Sequence, residues 1–223
     1  MPPRRRLSPA ERRAQLLDVA ARLFAALPYD EVLMEEVAER AGVSRALLYQ
    51  HFPNKRDLFA ALYREVSEQL LAQTRLDPAD TLVEQLTQGL DAHIGYFAEN
   101  RNTVLAANRV LAGDRLVQTI ITGELDALRE RLLGVLPLAD DTTREAVSGV
   151  LKSWLVFVQV LCVDWLTHET CTRTELRDVC IGAVVGALRP LLDEDPAPDW
   201  PRRPRGDRAT GQPGDRVRRP TGP

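Results

Sequence analysis

Residues 37–59 read VAERAGVSRALLYQHFPNKRDLF. The apolar positions Met34, Val37, Ala38 and Ala41 fall at i, i+3, i+4 and i+7, so the spacing predicts a short helix that ends at Gly42. Glycine suits the tight turn that follows, and Ser44 suits the cap of a second short helix. Within that helix Leu48 and Phe52 stand four apart and face inward, which turns Arg45, Ala46, Tyr49 and Gln50 outward. Two short helices across a glycine turn make a helix-turn-helix candidate over about residues 33–52, and the small Ala38 permits a close crossing. An outer face of Arg and Gln beside a small Ala suits the major groove, where Arg pairs with guanine and Gln with adenine through two hydrogen bonds each. The Tyr hydroxyl and the Lys ammonium suit phosphates. The plain alternative is a helical hairpin with a solvated polar face.

The flanking segments read as helices too. Ser8-Pro9-Ala10-Glu11 is a capping box with proline at the first helical position, followed by the stripe Leu17, Ala20, Ala21 and Phe24 up to Pro28. Asn54 and Asp57 offer a cap and a first-turn acid for a fourth helix, with Leu58, Phe59, Leu62, Tyr63, Val66 and Leu70 inward. Asp77-Pro78 is expected to open a fifth, with Leu82, Leu86, Leu90, Ile94 and Phe97 inward. Further helices are expected over about 101–112 and 114–136. Thr142 with Glu145 is expected to cap a long eighth helix, and Thr172 with Glu175 a ninth that ends near Pro190. No strand alternation, hairpin dipeptide or internal repeat stands out. The reading is all-α, with about nine helices.

The chain has 223 residues and a formal net charge of −3, so a basic balance of the whole does not point to nucleic acid; local charge must do so. It is long enough to bury a sizeable core. Lysine is nearly absent, and Lys55 and Lys152 are the two present. Cys162, Cys171 and Cys180 are odd in number and show no C-x-x-C spacing, which favours buried thiols in a reducing cytosol. The basic N-terminus has no apolar run behind it and does not read as a signal peptide. The most apolar run, 154–166, contains Gln159 and Asp164 and reads as a buried helix rather than a bilayer span. No membrane partner and a cytoplasmic location are therefore expected. No G-x-S-x-G, Gly-rich phosphate loop, metal-ligand spacing or paired nucleophile and base occurs, so no enzyme activity and no cofactor are expected. His51, His93 and His168 lack a metal spacing, and His168, Glu169 and Cys171 are merely adjacent in a loop; no metal is expected.

Residues 10–70 resemble the N-terminal domain of the TetR family of transcriptional regulators. The words that carry the resemblance are LLDVAARLFA and VAERAGVSRALLYQHFPNKRDLF, together with their spacing. The later helices match in number, length and order rather than in sequence. The resemblance implies a homodimer on a near-palindromic double-stranded DNA operator, and a repressor released by a small effector bound in the C-terminal domain. It implies that Ser44, Arg45, Ala46 and Gln50 face bases or the groove. Tyr49, His51 and Lys55 would then hold phosphates, with the N-terminus of the fourth helix beside Lys55. Leu33 and Met34 stand where the family often has Ser or Thr, so the cap of the second helix must come from elsewhere, Asp30 being the candidate. Glu35 follows and would repel phosphate. Ala46-Leu47 replaces the common Gly-Thr, so Leu47 would touch a thymine methyl instead.

The expected organisation is a basic arm (1–8), a DNA-binding domain (9–70), a helical ligand-binding and dimerisation domain (71–192) and a disordered Pro- and Arg-rich tail (193–223). Arg4, Arg5 and Arg6 read equally as a minor-groove arm or as a solvated end. The tail reads as a solvated segment or as a weak DNA tether. The eighth helix is apolar on nearly every side and must bury two faces, one of them against a partner subunit. Gly182 and Gly186 on the ninth permit close helix approach. Leu155, Val158, Cys162, Gly182 and Gly186 are the expected dimer contacts. His93, Tyr96, Asn108, Gln118, Trp154 and Gln159 are the expected lining of a pocket for a largely hydrophobic effector, being polar or aromatic groups on otherwise apolar faces.

Overall fold

A computed structural model describes residues 7–73, 80–138 and 140–192; the side chain of Gln73 is left aside. The expected arginine arm and the tail lie outside these residues. The described chain is helical, with no strand among the described residues.

Helix α1 (Pro9–Ala26) starts as expected. Ser8 Oγ accepts from the Glu11 amide, and Glu11 returns a carboxylate to the Ser8 amide at 2.7 Å. That pairing holds the Glu11 carboxyl below the usual carboxylate range. A 3-10 turn (Tyr29–Glu31) leads to α2 (Met34–Arg40). Here the expectation of an Asp30 cap is corrected: Leu33 is the N-cap residue and no side chain bonds to the open amides. Asp30 is instead part of the 3-10 turn, four residues before α2 begins.

Gly42 sits at φ +64 and closes α2. Its amide donates to the Glu39 carbonyl and that of Val43 to the Ala38 carbonyl, a glycine-terminated helix end. Any side chain here would pay the left-handed backbone penalty. Ser44 then caps α3 (Arg45–His51), its hydroxyl accepting from the Leu47 amide at 3.2 Å. Helix α4 (Lys55–Gln73) is capped as expected by Asn54 Oδ1, which accepts from the Asp57 amide at 2.9 Å.

Helix α5 (Leu82–Glu99) begins later than expected, because Thr81 and Glu84 form its capping box; Asp77 and Pro78 lie outside the described residues. Helix α6 (Arg101–Leu105) runs into one π-helical turn (Ala106–Val110). Helix α7 (Arg115–Val135) is capped by Asp114. Helix α8 (Asp141–His168) is capped by Asp140, which accepts from the Thr143 amide, so Thr142 sits one residue inside the helix and is not its cap. Helix α9 (Arg173–Leu192) has the expected Thr172–Glu175 box, but it continues past Pro190, which stands in the last turn.

The apolar residues gather in two centres. One joins α1 to α4 with Ala106, Ala107, Val117, Ile120 and Ile121. Phe24, Tyr29, Phe59 and Tyr63 form a chain of ring contacts inside it, the Phe24–Phe59 pair edge-on at 5.1 Å. Complete burial of a ring such as Phe59 stabilises by roughly 1.5–3 kcal/mol. The other centre joins α5, the second half of α7, α8 and α9. Helices α4 and α7 lie side by side and connect the two.

Candidate functional site

The first candidate surface is the outer face of α3. Leu48 and Phe52 are buried, and Ser44, Arg45, Ala46, Tyr49 and Gln50 are exposed on the opposite side. Leu47 and His51 are half-buried at its margins. The helix is fixed from behind. Gln15 of α1 donates to the Ala41 carbonyl at 3.1 Å, and the Arg13 guanidinium lies 5.1 Å over the Phe52 ring.

Two features of this surface were not legible in the sequence. The Arg45 guanidinium is paired with Glu35 of α2 at 3.5 Å, so Glu35 faces a cation of α3 rather than standing alone. Lys55 is also engaged. Its ammonium donates to the Tyr29 carbonyl at 2.9 Å and the Asp30 carbonyl at 3.3 Å, and lies 4.6 Å over the Tyr29 ring. An ammonium has three donors, so one remains for an outside acceptor.

The second candidate site is a cavity of about 80 Å³ between α4, α5, α7 and α8. Leucines make up half of its lining residues, among them Leu70, Leu86, Leu90, Leu125, Leu128 and Leu132. Of the six residues expected there, His93, Trp154 and Gln159 line it. Tyr96, Asn108 and Gln118 do not, and each has another task. Gln118 donates to the carbonyls of Ala107 and Leu111 and fastens the π turn. Asn108 donates to the Val104 carbonyl and accepts from Gln159 at 2.8 Å; Tyr63 of α4 also bonds to it. Tyr96 packs near Phe97, and burial with the nearby Glu124 pushes its phenol up.

Three polar lining residues were missed: Gln85, Glu124 and Arg131. Glu124 left a readable signal, since it falls on the apolar stripe Val117, Ile120, Ile121, Leu125 of α7. Its carboxylate accepts from the Ser67 hydroxyl of α4 at 2.7 Å, and burial raises it above the usual carboxylate range despite that bond. Arg131 donates to the Leu71 carbonyl, and Gln85 to that of Asp80. His93 Nε2 is shielded and has no partner, and burial pushes the imidazole down to about 4. Trp154 donates to the Cys180 carbonyl at 2.8 Å.

Of the expected dimer contacts, Leu155, Val158 and Cys162 point into the protein's own core, and the first two also line the cavity, whereas Gly182 and Gly186 remain accessible. The outward face of α8 carries Val156, Phe157 and Val160 instead, Val160 being 62% exposed. On α9, Val179, Ala183 and Gly186 are exposed, and Gly182 is half-buried. By length and composition α8 could cross a membrane, at 28 residues rather than the thirteen or so of its most apolar run; its apolar side chains are divided between the core and this outer face. The three cysteines are free, and burial raises the Cys162 and Cys180 thiols to about 12 and about 11. Among the described residues no three His, Cys, Asp or Glu gather as a metal site.

Comparison with known proteins agrees with this layout. Residues 16–62 match the family model described as bacterial regulatory proteins, tetR family. The transcriptional activator FasR of Mycolicibacterium smegmatis is 41% identical over 70 residues, 31% of this chain and 32% of that protein. The nucleoid occlusion factor SlmA of Alteromonas mediterranea is 33% identical over 125 residues, 54% of this chain and 58% of that one. The chain thus spans about a third to three fifths of the length of these relatives. Among solved structures, a tetR-family transcriptional regulator from Streptomyces coelicolor superimposes with a TM-score of 0.73 at 23% identity, covering 85% of this chain and 92% of that one. The shared fold is therefore an N-terminal helix-turn-helix head followed by a helical body.

Proposed function

We propose that this chain, whose residues 16–62 match the family model of bacterial regulatory proteins, tetR family, is a transcriptional regulator that binds a palindromic operator as a homodimer and is released by a small, largely apolar effector, and so acts as a repressor. The observation that carries the reading is the exposed ridge of α3, Ser44, Arg45, Ala46, Tyr49 and Gln50, held rigid from behind by α1 and α2. Arg45 and Gln50 read base edges. Tyr49, His51 and the free donor of Lys55 take phosphates on either side. Leu47, half-buried at the margin, meets a thymine methyl.

The apolar outer face of α8 and α9 supports a second copy as its cover. The paired heads would then enter successive major grooves about 34–36 Å apart. The leucine-lined cavity supports an apolar effector, with His93, Trp154 and Gln159 among its walls. Residues 9–70 form the DNA-binding unit in this reading and 71–192 the effector-binding and dimerisation unit. Helix α4 couples them, since its first half packs in the head and its end borders the cavity. Coupling is reciprocal, so operator DNA weakens effector binding by the same factor.

Genome-wide mapping of bound DNA tests this. A few symmetric sites near promoters support it. Many dispersed sites that no metabolite relieves would favour an alternative, a DNA-binding factor without an effector. Position of the sites relative to the promoters separates repression from activation.

A further inference from the structure

The polar groups of the cavity differ in what they leave open. Gln159 is committed to Asn108, and Arg131 to the Leu71 carbonyl. His93 Nε2 has no partner, and as a neutral imidazole it puts no positive charge beside a ligand. Glu124 is the group of the site left without a countercharge. Half-buried in the wall, its carboxylate accepts from the Ser67 hydroxyl, and no ion pair to it occurs among the described residues. A carboxylate taken out of water without a cation is costly, and a cation brought in by a ligand offsets that cost.

Glu124 is also reachable. Together with Leu71 it forms the wall shared by the cavity and an outer recess lined by Arg64, Ser67, Glu68 and Thr119. That recess carries Glu68 and Glu124 against Arg64, so its charge favours a cation at the approach. The leucines beyond it offer a dry place for hydrocarbon. The hydroxyl that Glu124 now holds belongs to α4, the helix that runs on from the head.

We propose that this cavity takes a small apolar amine in its protonated form, its ammonium paired with Glu124 and its hydrocarbon among Leu86, Leu90, Leu125 and Leu128, and that this pairing draws Glu124 away from the Ser67 hydroxyl that ties α7 to α4. The proposal rests on the ligand-responsive reading above and names its ligand class. A carboxylic acid of the same length would meet Glu124 with like charge, and an alcohol would leave it unpaired.

The test uses the full chain, an operator fragment selected by the protein itself, and three probes of one chain length: hexylamine, hexanol and hexanoate. Calorimetry on the wild type should show hexylamine bound roughly tenfold or more tightly than either of the others. Glu124→Gln should erase that preference and Glu124→Asp should retain it, with a thermal melt showing that each variant folds. In Ser67→Ala, hexylamine should still bind but should shift operator affinity less than in the wild type. Equal binding of the three probes, preference for hexanoate, no binding of hexylamine, or an amine affinity untouched by Glu124→Gln overturns the proposal. Operator release by hexanol or hexanoate would leave the ligand-responsive reading standing while sinking the amine. Failure of the wild type to select any DNA would sink the regulator reading itself.

Discussion

Glu35 on α2 and Arg45 on α3 are joined across the helix-turn-helix by an ion pair of 3.5 Å, with the side chains 42% and 69% exposed. A pair so open to water adds little to stability. Its effect is on charge at the DNA-facing surface, because a carboxylate stands beside the guanidinium expected to read a base. Arg45→Ala should weaken specific binding by about 1–3 kcal/mol and relax one operator position. Glu35→Gln should raise affinity for all sequences and steepen the salt slope by about one. In the Arg45→Ala background the gain from Glu35→Gln should change, since contacting residues are not additive. Fluorescence anisotropy over a salt series reads all three.

Lys55 is bonded to two backbone carbonyls of the 3-10 turn before α2, so it holds the head together as well as facing outward. Lys55→Ala should lower stability by about 1.5–3 kcal/mol, the range for hydrogen bonds to a charged group. It should also weaken binding to every DNA sequence and reduce the salt slope by about one. A melting temperature equal to the wild type's would show that the lysine acts on phosphate alone.

The outer face of α8 and its inner face should respond oppositely to one substitution. Val160→Glu, on the exposed side, should leave the fold intact and give a monomer in sedimentation. Leu155→Glu, at 7% exposure beside the cavity, should instead unfold the body, since an unpaired charge would be buried.

His93 sets a pH dependence. Its folded-state value of about 4 lies below the ordinary 6.5, so between these the unfolded chain binds the proton and the folded chain does not. Stability therefore falls as pH drops through that window, by up to about 3 kcal/mol from this residue. Glu124 acts in the other direction, because its raised carboxyl takes up a proton first in the folded state. Comparing wild type with His93→Leu isolates the histidine: urea unfolding at pH 7 and pH 5 should show a smaller loss in the variant.

The head was legible because each level of its pattern agrees. Capping box, glycine turn and four-residue apolar spacing all point to the same three helices, and Leu48 and Phe52 are buried where the spacing puts them. Helix α8 was legible as an element but not in its orientation. When nearly every position is apolar, periodicity no longer marks which face meets the core, and Leu155, Val158 and Cys162 lie on the inward one. The start of α8 was misplaced by two rival caps two residues apart, Asp140 and Thr142. The cavity was half legible. Trp154 and Gln159 interrupt apolar stretches, whereas Gln118 and Asn108 do the same in order to fasten a π turn whose carbonyls no sequence pattern announces.

Two neighbouring residues of α6 grip two distant helix ends. Arg101 donates to the Leu166 carbonyl near the end of α8 at 2.9 Å, and Asn102 donates to the Ala25 carbonyl at the end of α1 at 3.0 Å. Ala106, Ala107, Val117, Ile120 and Ile121 then complete the apolar centre of the head. The head is thus no interchangeable cartridge. A hybrid regulator that grafts residues 9–70 onto a foreign body would leave this seam unfilled, and an engineer who wants this reading head elsewhere must transplant the stretch from 101 to 121 with it.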